Sequence, residues 1–437
     1  MGTIGILIAI ALIVLMAMKG FSIVFIAPLA SIIVIVTNGM NFFPSLIGTE
    51  TSFMTGLTGF LINYFGVFLL GAILAQYIEK SGAAQAIAQK VLSITGTEKP
   101  FSVLIAIYVI SAILTFGGIS LFVVLFVVIP LAKPLFKQLN IGWNLVVIPV
   151  FLGIGTFTMT MLPGTPSIQN VVPTTYLGTT LTAAPLMGIV ATLISIVIGV
   201  IYLRYTLKKS LANGETFEPY AEKDEEKIIL KEKIPSFIIS ILPILVLIII
   251  IFTGSALKVA NIVLIGLAAA IVVAAALFHK YIPSHKTALS LGANGSITPI
   301  FFTAAAVAFG VVITMAPGFK VISDFILGIP GNPLISLSVA SAALGAITGS
   351  SSGGLGIAME AFAQSYLALG VNAEAMHRIS AIASSVFTAL PHAGAILSMF
   401  ALTGLNHKNA YKYSFYSTTL PNFFALIAAL ILGIIFY

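Results

Sequence analysis

Ten apolar runs, each long enough to cross a bilayer, leave this chain one kind of solvent to fold in. A crossing helix needs about 17–25 apolar residues, and the runs read as residues 2–18, 21–38, 57–78, 143–162, 186–203, 236–253, 259–278, 296–316, 379–403 and 413–437. Charged residues are only 8% of the 437, against about 25% in a soluble domain, so there is too little charge to clothe a water-facing surface. Globular enzymes, nucleic-acid binders and disordered chains are excluded, despite a net charge of +7. The absence of cysteine removes disulfide frameworks, thiolate metal sites and Cys nucleophiles. The chain reads as a multi-pass protein of the plasma (inner) membrane.

Two further apolar stretches, 101–136 and 333–370, are each split by a small polar cluster, and these decide the architecture. Read as re-entrant hairpins that enter and leave on one side, they sort the basic residues sharply. Lys258, Lys320 and Arg378 fall on one face, and the rest of the 20 Lys and Arg on the other. The positive-inside rule puts the basic-rich face in the cytoplasm, so both termini are expected outside. The one water-like segment, 208–234, mixes lysines with Glu222, Asp224, Glu225 and Glu226. It reads as a solvated cytoplasmic linker.

The segments on either side of that linker, 1–207 and 235–437, resemble each other. Gly82 recurs as Gly318, Gly117-Gly118 as Gly353-Gly354, and Leu162-Pro163 as Leu390-Pro391, in one order and at nearly constant spacing. Each half reads as three spans, a hairpin (101–136 or 333–370), a span broken at Leu-Pro (143–183 or 375–403) and a final span. An odd number of crossings per half means that the halves insert with opposite topology. The expected fold class is therefore an all-α polytopic membrane protein. It is an inverted repeat of about ten transmembrane helices with two re-entrant helical hairpins and two interrupted helices, as in many secondary transporters.

Backbone that breaks its hydrogen bonds at membrane depth must be buried or line a cavity. The four irregular segments are the two hairpin tips and the two Leu-Pro breaks, and a new half-helix with bare N–H groups and a positive dipole end starts after each. Thr115, Gly117, Gly118 and Ser120 mark the first tip; Pro163, Gly164, Thr165, Ser167 and Asn170 the first break. Ser350, Ser351, Ser352, Gly353 and Gly354 mark the second tip, and His392 and Gly394 the second break. Hydroxyls cap such helix ends or donate to a bound oxyanion, so these residues are candidate ligands for a small anion. The same hydroxyls can instead satisfy only the broken backbone.

Among ionisable residues, His392 at the second break and Glu360 beyond the second tip are the candidate proton carriers. Arg378 and His377 lie about 21 Å before His392 along a helix and read as interface anchors; His279, His285 and His407 read as surface residues. Gly349-Ser350-Ser351-Ser352-Gly353 matches the nucleophile-elbow pattern only formally, because its flanks are helical. No Walker A, zincin or dinucleotide motif occurs, so no cofactor and no enzyme activity are expected.

At these residues the chain resembles the gluconate:proton symporter (GntP) family of the ion transporter superfamily. The resemblance is carried by Ser81-Gly82-Ala83-Ala84-Gln85-Ala86-Ile87-Ala88, by Leu162-Pro163-Gly164-Thr165-Pro166 and by the Ser-rich tip before Gly353-Gly354. It continues from His377-Arg378-Ile379 through Leu390-Pro391-His392-Ala393-Gly394-Ala395 to Thr403-Gly404-Leu405. It implies a proton-coupled permease for a small hydroxycarboxylate, gluconate-like or 3-hydroxybutyrate-like, with a scaffold domain that dimerises and an elevator-like transport domain. The expected partners are the organic anion, the lipid bilayer and a second copy of the chain, with no nucleic acid. Carbonyls and hydroxyls alone can hold sodium, so a sodium-coupled carboxylate symporter stays an alternative to proton coupling, with an anion channel behind it.

Overall fold

The computed structural model describes residues 1–19, 21–117, 121–217, 233–257, 259–391 and 393–437, and every regular element among them is helical. The chain begins with α1 (Gly2–Met18), α2 (Ile23–Thr37), the short α3 (Phe42–Ile47), α4 (Phe53–Ser81) and α5 (Ala83–Thr95). A helical hairpin follows, α6 (Pro100–Phe116) and α7 (Leu121–Gln138). Next come α8 (Val147–Ile154), a single turn α9 (Phe157–Thr160), α10 (Ile168–Leu177) and the long α11 (Pro185–Ala212). Beyond the linker lie α12 (Phe237–Ala256), α13 (Ile262–Phe278), α14 (His285–Met315) and α15 (Phe319–Leu327). The second hairpin is α16 (Pro333–Thr348) and α17 (Ser351–Ala368), followed by α18 (Ala373–Ser385), α19 (Gly394–Thr403) and α20 (His407–Phe436).

Local chemistry sets these boundaries. Ser52 and Thr55 form a reciprocal capping box at the start of α4, and Asn406 with Asn409 does the same for α20. Pro100 and Pro333 open the two hairpins at positions where a missing N–H costs nothing. Where the sequence suggests ten spans, six described stretches are long and apolar enough to cross a membrane: Phe53–Ser81, Trp143–Thr160, Pro185–Ala212, Phe237–Gly254, His285–Met315 and His407–Phe436. Gly2–Met16, Ile23–Thr37 and Ile262–Phe278 are shorter apolar helices. At 1.5 Å per residue they reach about 23–26 Å, a little under the roughly 30 Å hydrocarbon core. Polar residues trim them, Ser22 and Asn38 at the ends of α2 and Asn261 before α13.

The linker also starts later than its composition suggests. α11 runs past Lys208 and Lys209 to Ala212, and Ser210 Oγ donates to Glu215 Oε2 at 2.7 Å, which ties the chain back beneath Asn144. Most of the expected linker, 218–232, lies outside the described residues.

α4 crosses α14, with α2 laid on α14 and α13 on α4, while α11 pairs with α20. Hairpin α6–α7 packs on α8 and reaches α19; hairpin α16–α17 packs on α18 and reaches α10. Small residues permit the closest approaches. A Cβ on Gly292 of α14 would lie 2.5 Å from Ile73 Cα of α4, whereas one on Gly295 would meet nothing within 4 Å. Gly292→Ala is therefore expected to lower the thermal unfolding temperature of the purified protein, since overpacking costs about 1–3 kcal/mol. Gly295→Ala, which gains about 0.5–1 kcal/mol of helix propensity, is expected to leave it equal or raise it. Equal unfolding temperatures for both variants would show that this crossing is not tight.

Candidate functional site

The first broken helix opens earlier than Leu162-Pro163. α8 stops at Ile154, the backbone departs at Gly155 and Thr156, and after the turn of α9 it runs irregularly from Met161 to Ser167. Pro163 and Pro166 cannot donate, and Gly164 takes φ +82°, a region that favours glycine. Its N–H donates to Leu181 O at 2.9 Å, and a Cβ there would strike the Phe252 ring at 2.7 Å. Asn170, in the first turn of α10, staples the loop: its Nδ2 donates to Thr165 O at 2.9 Å and to Leu181 O at 2.8 Å. Ser167 precedes α10 but does not cap it; its hydroxyl donates to Met159 O. Thr165 is fully buried, and its hydroxyl has no partner among the described residues.

The second hairpin tip docks on the second break. Gly349 ends α16 in the left-handed region, and Ser350 caps α17, its Oγ accepting from Gly353 N–H at 3.3 Å. Ser350 and Ser352 hydroxyls stand 3.3 Å apart, and Ser351 Oγ lies 2.9 Å from Ser384 Oγ near the end of α18. Past Ser385 the described residues are irregular until α19 begins at Gly394, which is exposed. His407, a surface residue by sequence and exposed here, reaches back so that its Nε2–H donates to Pro391 O at 2.9 Å. His279 and His285 pair with each other at 3.1 Å, at the turn between α13 and α14.

Both breaks converge on one side chain of α20. Asn422 is fully buried, and its Nδ2 donates to Gly155 O at 3.0 Å and to Ser385 O at 3.2 Å, one carbonyl from each interrupted helix. Among the described residues its Oδ1 has no partner, and neither has the buried hydroxyl of Thr419, almost one turn earlier.

The expectation that His377 and Arg378 anchor at an interface is wrong: both are fully buried. α18 is enclosed by α16, α17, α10 and α20, so distance along the helix from the break is no measure of distance from solvent. Arg378 Nε and Nη2 both donate to Ala183 O, at 3.3 and 2.8 Å, and Nη1 donates to Thr160 O at 3.1 Å. It thus ties the end of α9 to the stretch that precedes α11. Its partners are carbonyls, and among the described residues it forms no ion pair. Glu374, one turn earlier, accepts instead from Ala184 N–H at 3.1 Å. His377 bridges Asn170 Oδ1 at 3.0 Å and Thr179 Oγ1 at 2.7 Å.

A description of the GntP family permeases matches residues 1–435. The chain belongs to the GntP permease family. It is 34% identical over 465 aligned residues to YxjC of Bacillus subtilis (strain 168), named an uncharacterized transporter, with 97% of each chain covered. Its fold is similar to the crystal structure of the Alcanivorax borkumensis YdaH transporter, with a TM-score of 0.58, 17% identity, and coverage of 87% of this chain and 86% of that one. The protein is accordingly a multi-pass membrane transporter.

In this GntP permease the anticipated site residues divide into groups. Pro163, Gly164, Thr165, Ser167 and Asn170 share the first break, and Ser350, Ser351, Ser352, Gly353 and Gly354 share the second tip with Ser384 of α18. Thr115 is committed elsewhere: buried under the first break, its hydroxyl lies 2.8 Å from Ser111 O, 3.1 Å from Gly153 O and 3.1 Å from Thr158 Oγ1. Gly117 packs on Ile244 of α12. Glu360 is exposed on α17, where its carboxylate faces the Tyr176 hydroxyl of α10. Gly118, Ser120 and His392 lie outside the described residues. Sequence reasoning placed His377 and Arg378 at an interface and passed over Asn422; the one available signal for Asn422 was an amide directly after Pro421 in an otherwise apolar run.

Proposed function

We propose that this GntP permease is a secondary active transporter that takes up a small hydroxycarboxylate together with a proton by alternating access. The observation that carries the reading is Arg378, a fully buried guanidinium at the first break that forms no ion pair among the described residues. Charges inside a helical bundle are costly and mark substrate or ion pathways; the Glu374 carboxylate acts on Arg378 but is bonded to Ala184 N–H, so a direct ion-pair partner is what a carboxylate substrate would bring. Hydroxyls of Thr165, Ser350 and Ser352 are of the type that would pair with a hydroxy acid.

An inverted repeat is supported by the recurring order of elements. α1–α2, α4, α6–α7, α8–α10 and α11 have counterparts of similar length in α12–α13, α14, α16–α17, α18–α19 and α20, and each hairpin touches the far half-helix of the other half. In this reading both termini face outward and the protein works as a dimer in the inner membrane. The hairpin tips then gate a site reached alternately from either side.

A sodium-coupled version is favoured by one feature, Asn422 Oδ1 and Thr419 Oγ1, unpartnered among the described residues, beside freed helix-end carbonyls. Uptake of labelled gluconate and 3-hydroxybutyrate into proteoliposomes separates the cases. An acid-outside gradient is expected to drive saturable accumulation of at least one of them without sodium. Accumulation driven by sodium alone would overturn proton coupling, and unsaturable downhill flux would point to a channel.

A further inference from the structure

His377 is held in a way that suits a group which changes its protonation state. We infer that His377 takes up the coupled proton and that Arg378 links this proton to the bound anion; the inference rests on the transport reading above.

The tautomer follows from hydrogen bonds. Asn170 Nδ2 is occupied by two carbonyls at 2.9 and 2.8 Å, so its amide orientation is fixed and the atom 3.0 Å from His377 Nε2 is an oxygen. An oxygen accepts, so Nε2 carries a hydrogen. Nδ1 then offers its lone pair, and the Thr179 hydroxyl at 2.7 Å donates to it. When a proton arrives at Nδ1, that hydroxyl needs only to rotate and accept. Both N–H groups of the imidazolium are then satisfied with no heavy atom displaced. Thr179 itself is partly exposed in the irregular stretch after α10, which gives the proton a way in to an imidazole that is otherwise sealed.

The surroundings decide when the proton stays. On α18 the neighbours are Arg378 and Glu374. α17 contributes Glu360 and Tyr366, the latter bonded to Ser336 at 2.7 Å, and α10 contributes Tyr176, which faces Glu360. α20 carries His407, Lys408, Tyr411, Lys412, Tyr413 and Tyr416 toward its start, with Tyr437 following its end; Tyr437 and Glu374 both act on Arg378. α11 carries Tyr202, Arg204, Tyr205, Lys208 and Lys209, and α16 and α9 carry no ionisable side chain. Arg378 is the charge that acts on His377. Two adjacent positive charges in a packed interior repel; an anion placed against Arg378 removes that opposition, so anion and proton favour each other's binding. Such coupling is reciprocal, and it makes the doubly loaded carrier the preferred one, as symport requires.

His377→Gln tests this, because a carboxamide can donate to Asn170 and accept from Thr179 but cannot titrate. Exchange of labelled for unlabelled gluconate or 3-hydroxybutyrate across proteoliposomes, which needs no net proton movement, is expected to persist. Accumulation driven by an acid-outside gradient is expected to fall about tenfold or more, and the pH profile of uptake to flatten. A variant that accumulates the anion with the wild-type pH profile would overturn the assignment. If the variant does not fold, calorimetry of the wild-type protein with the transported probe, in buffers of different ionisation heat, decides instead. About one proton taken up per anion bound supports coupling at this site, and none overturns it. Wild-type protein that exchanges neither probe would sink the transport reading itself and this inference with it.

Discussion

Arg378→Met is expected to abolish uptake of the transported anion while leaving the protein nearly as stable as before. Two unit charges about 4 Å apart interact by about 4 kcal/mol at an effective dielectric constant near 20, which corresponds to about 700-fold in affinity. That interaction vanishes with the guanidinium. For folding, the terms oppose each other. The substitution leaves Thr160 O and Ala183 O without their charged donor, and an unpaired buried carbonyl costs about 1–3 kcal/mol. Against this, the native protein carries the desolvation cost of a buried cation that forms no ion pair among the described residues, several kcal/mol in practice, and apolar replacement of buried charge is often neutral or stabilising. Thermal unfolding of the purified variant should therefore shift little, and anion exchange in proteoliposomes should be lost. Arg378→Lys should fall between the two: it keeps the charge but not the planar fork that makes the three bonds to Thr160 O and Ala183 O. Wild-type exchange by Arg378→Met would mean that the charge is structural and the anion sits elsewhere.

What could be read from the sequence divides along the same line as these two roles. Apolar runs, prolines at helix starts and serine clusters are local signals, and the all-helical class and the helix pairs at 101–136 and 333–370 follow from them, whereas only six of the ten expected spans are long and apolar enough among the described residues. The extent of the first break was less legible: Gly155-Thr156 lies inside an apolar run, and its departure from the helix depends on contacts from other elements, such as Asn422 on the Gly155 carbonyl. The burial of His377 and Arg378 was not legible at all. A basic dipeptide near a helix start reads as an interfacial anchor unless one knows that four other helices enclose it, and that is tertiary information. Thr115 shows the opposite limit: its position near a tip suggests a ligand, whereas its hydroxyl contacts Ser111 O, Gly153 O and Thr158 Oγ1 under α8, and only the packing reveals those partners. Asn170 was legible only as a residue of the first break, because an amide in the first turn of a half-helix has orphan backbone groups within reach whatever the fold; here it bonds to Thr165 O and Leu181 O.

The second large effect concerns how tightly the second hairpin is closed. On Gly354 of α17 a Cβ would lie 2.3 Å from Gly345 N and 2.4 Å from Gly345 Cα of α16, and on Gly345 it would lie 2.0 Å from Ser384 O of α18. Three helices are thus stacked backbone to backbone through two glycines, beside the Ser351–Ser384 contact that seats the tip on the break. Backbone atoms cannot turn aside as a side chain can, so Gly354→Ala must splay α17 from α16. Overpacking commonly costs about 1–3 kcal/mol and sometimes more, and here the upper end is expected because relief on one side is blocked by α18. The neighbouring Gly353 provides the control: its Cβ would meet Ala306 Cβ at 3.4 Å, an ordinary contact. Both substitutions gain the same helix propensity, about 0.5–1 kcal/mol, so the difference between them isolates the crossing. Gly354→Ala should unfold at a clearly lower temperature than Gly353→Ala in the same detergent, and equal unfolding temperatures would mean that the hairpin yields and the close packing is not what holds the tip on α18.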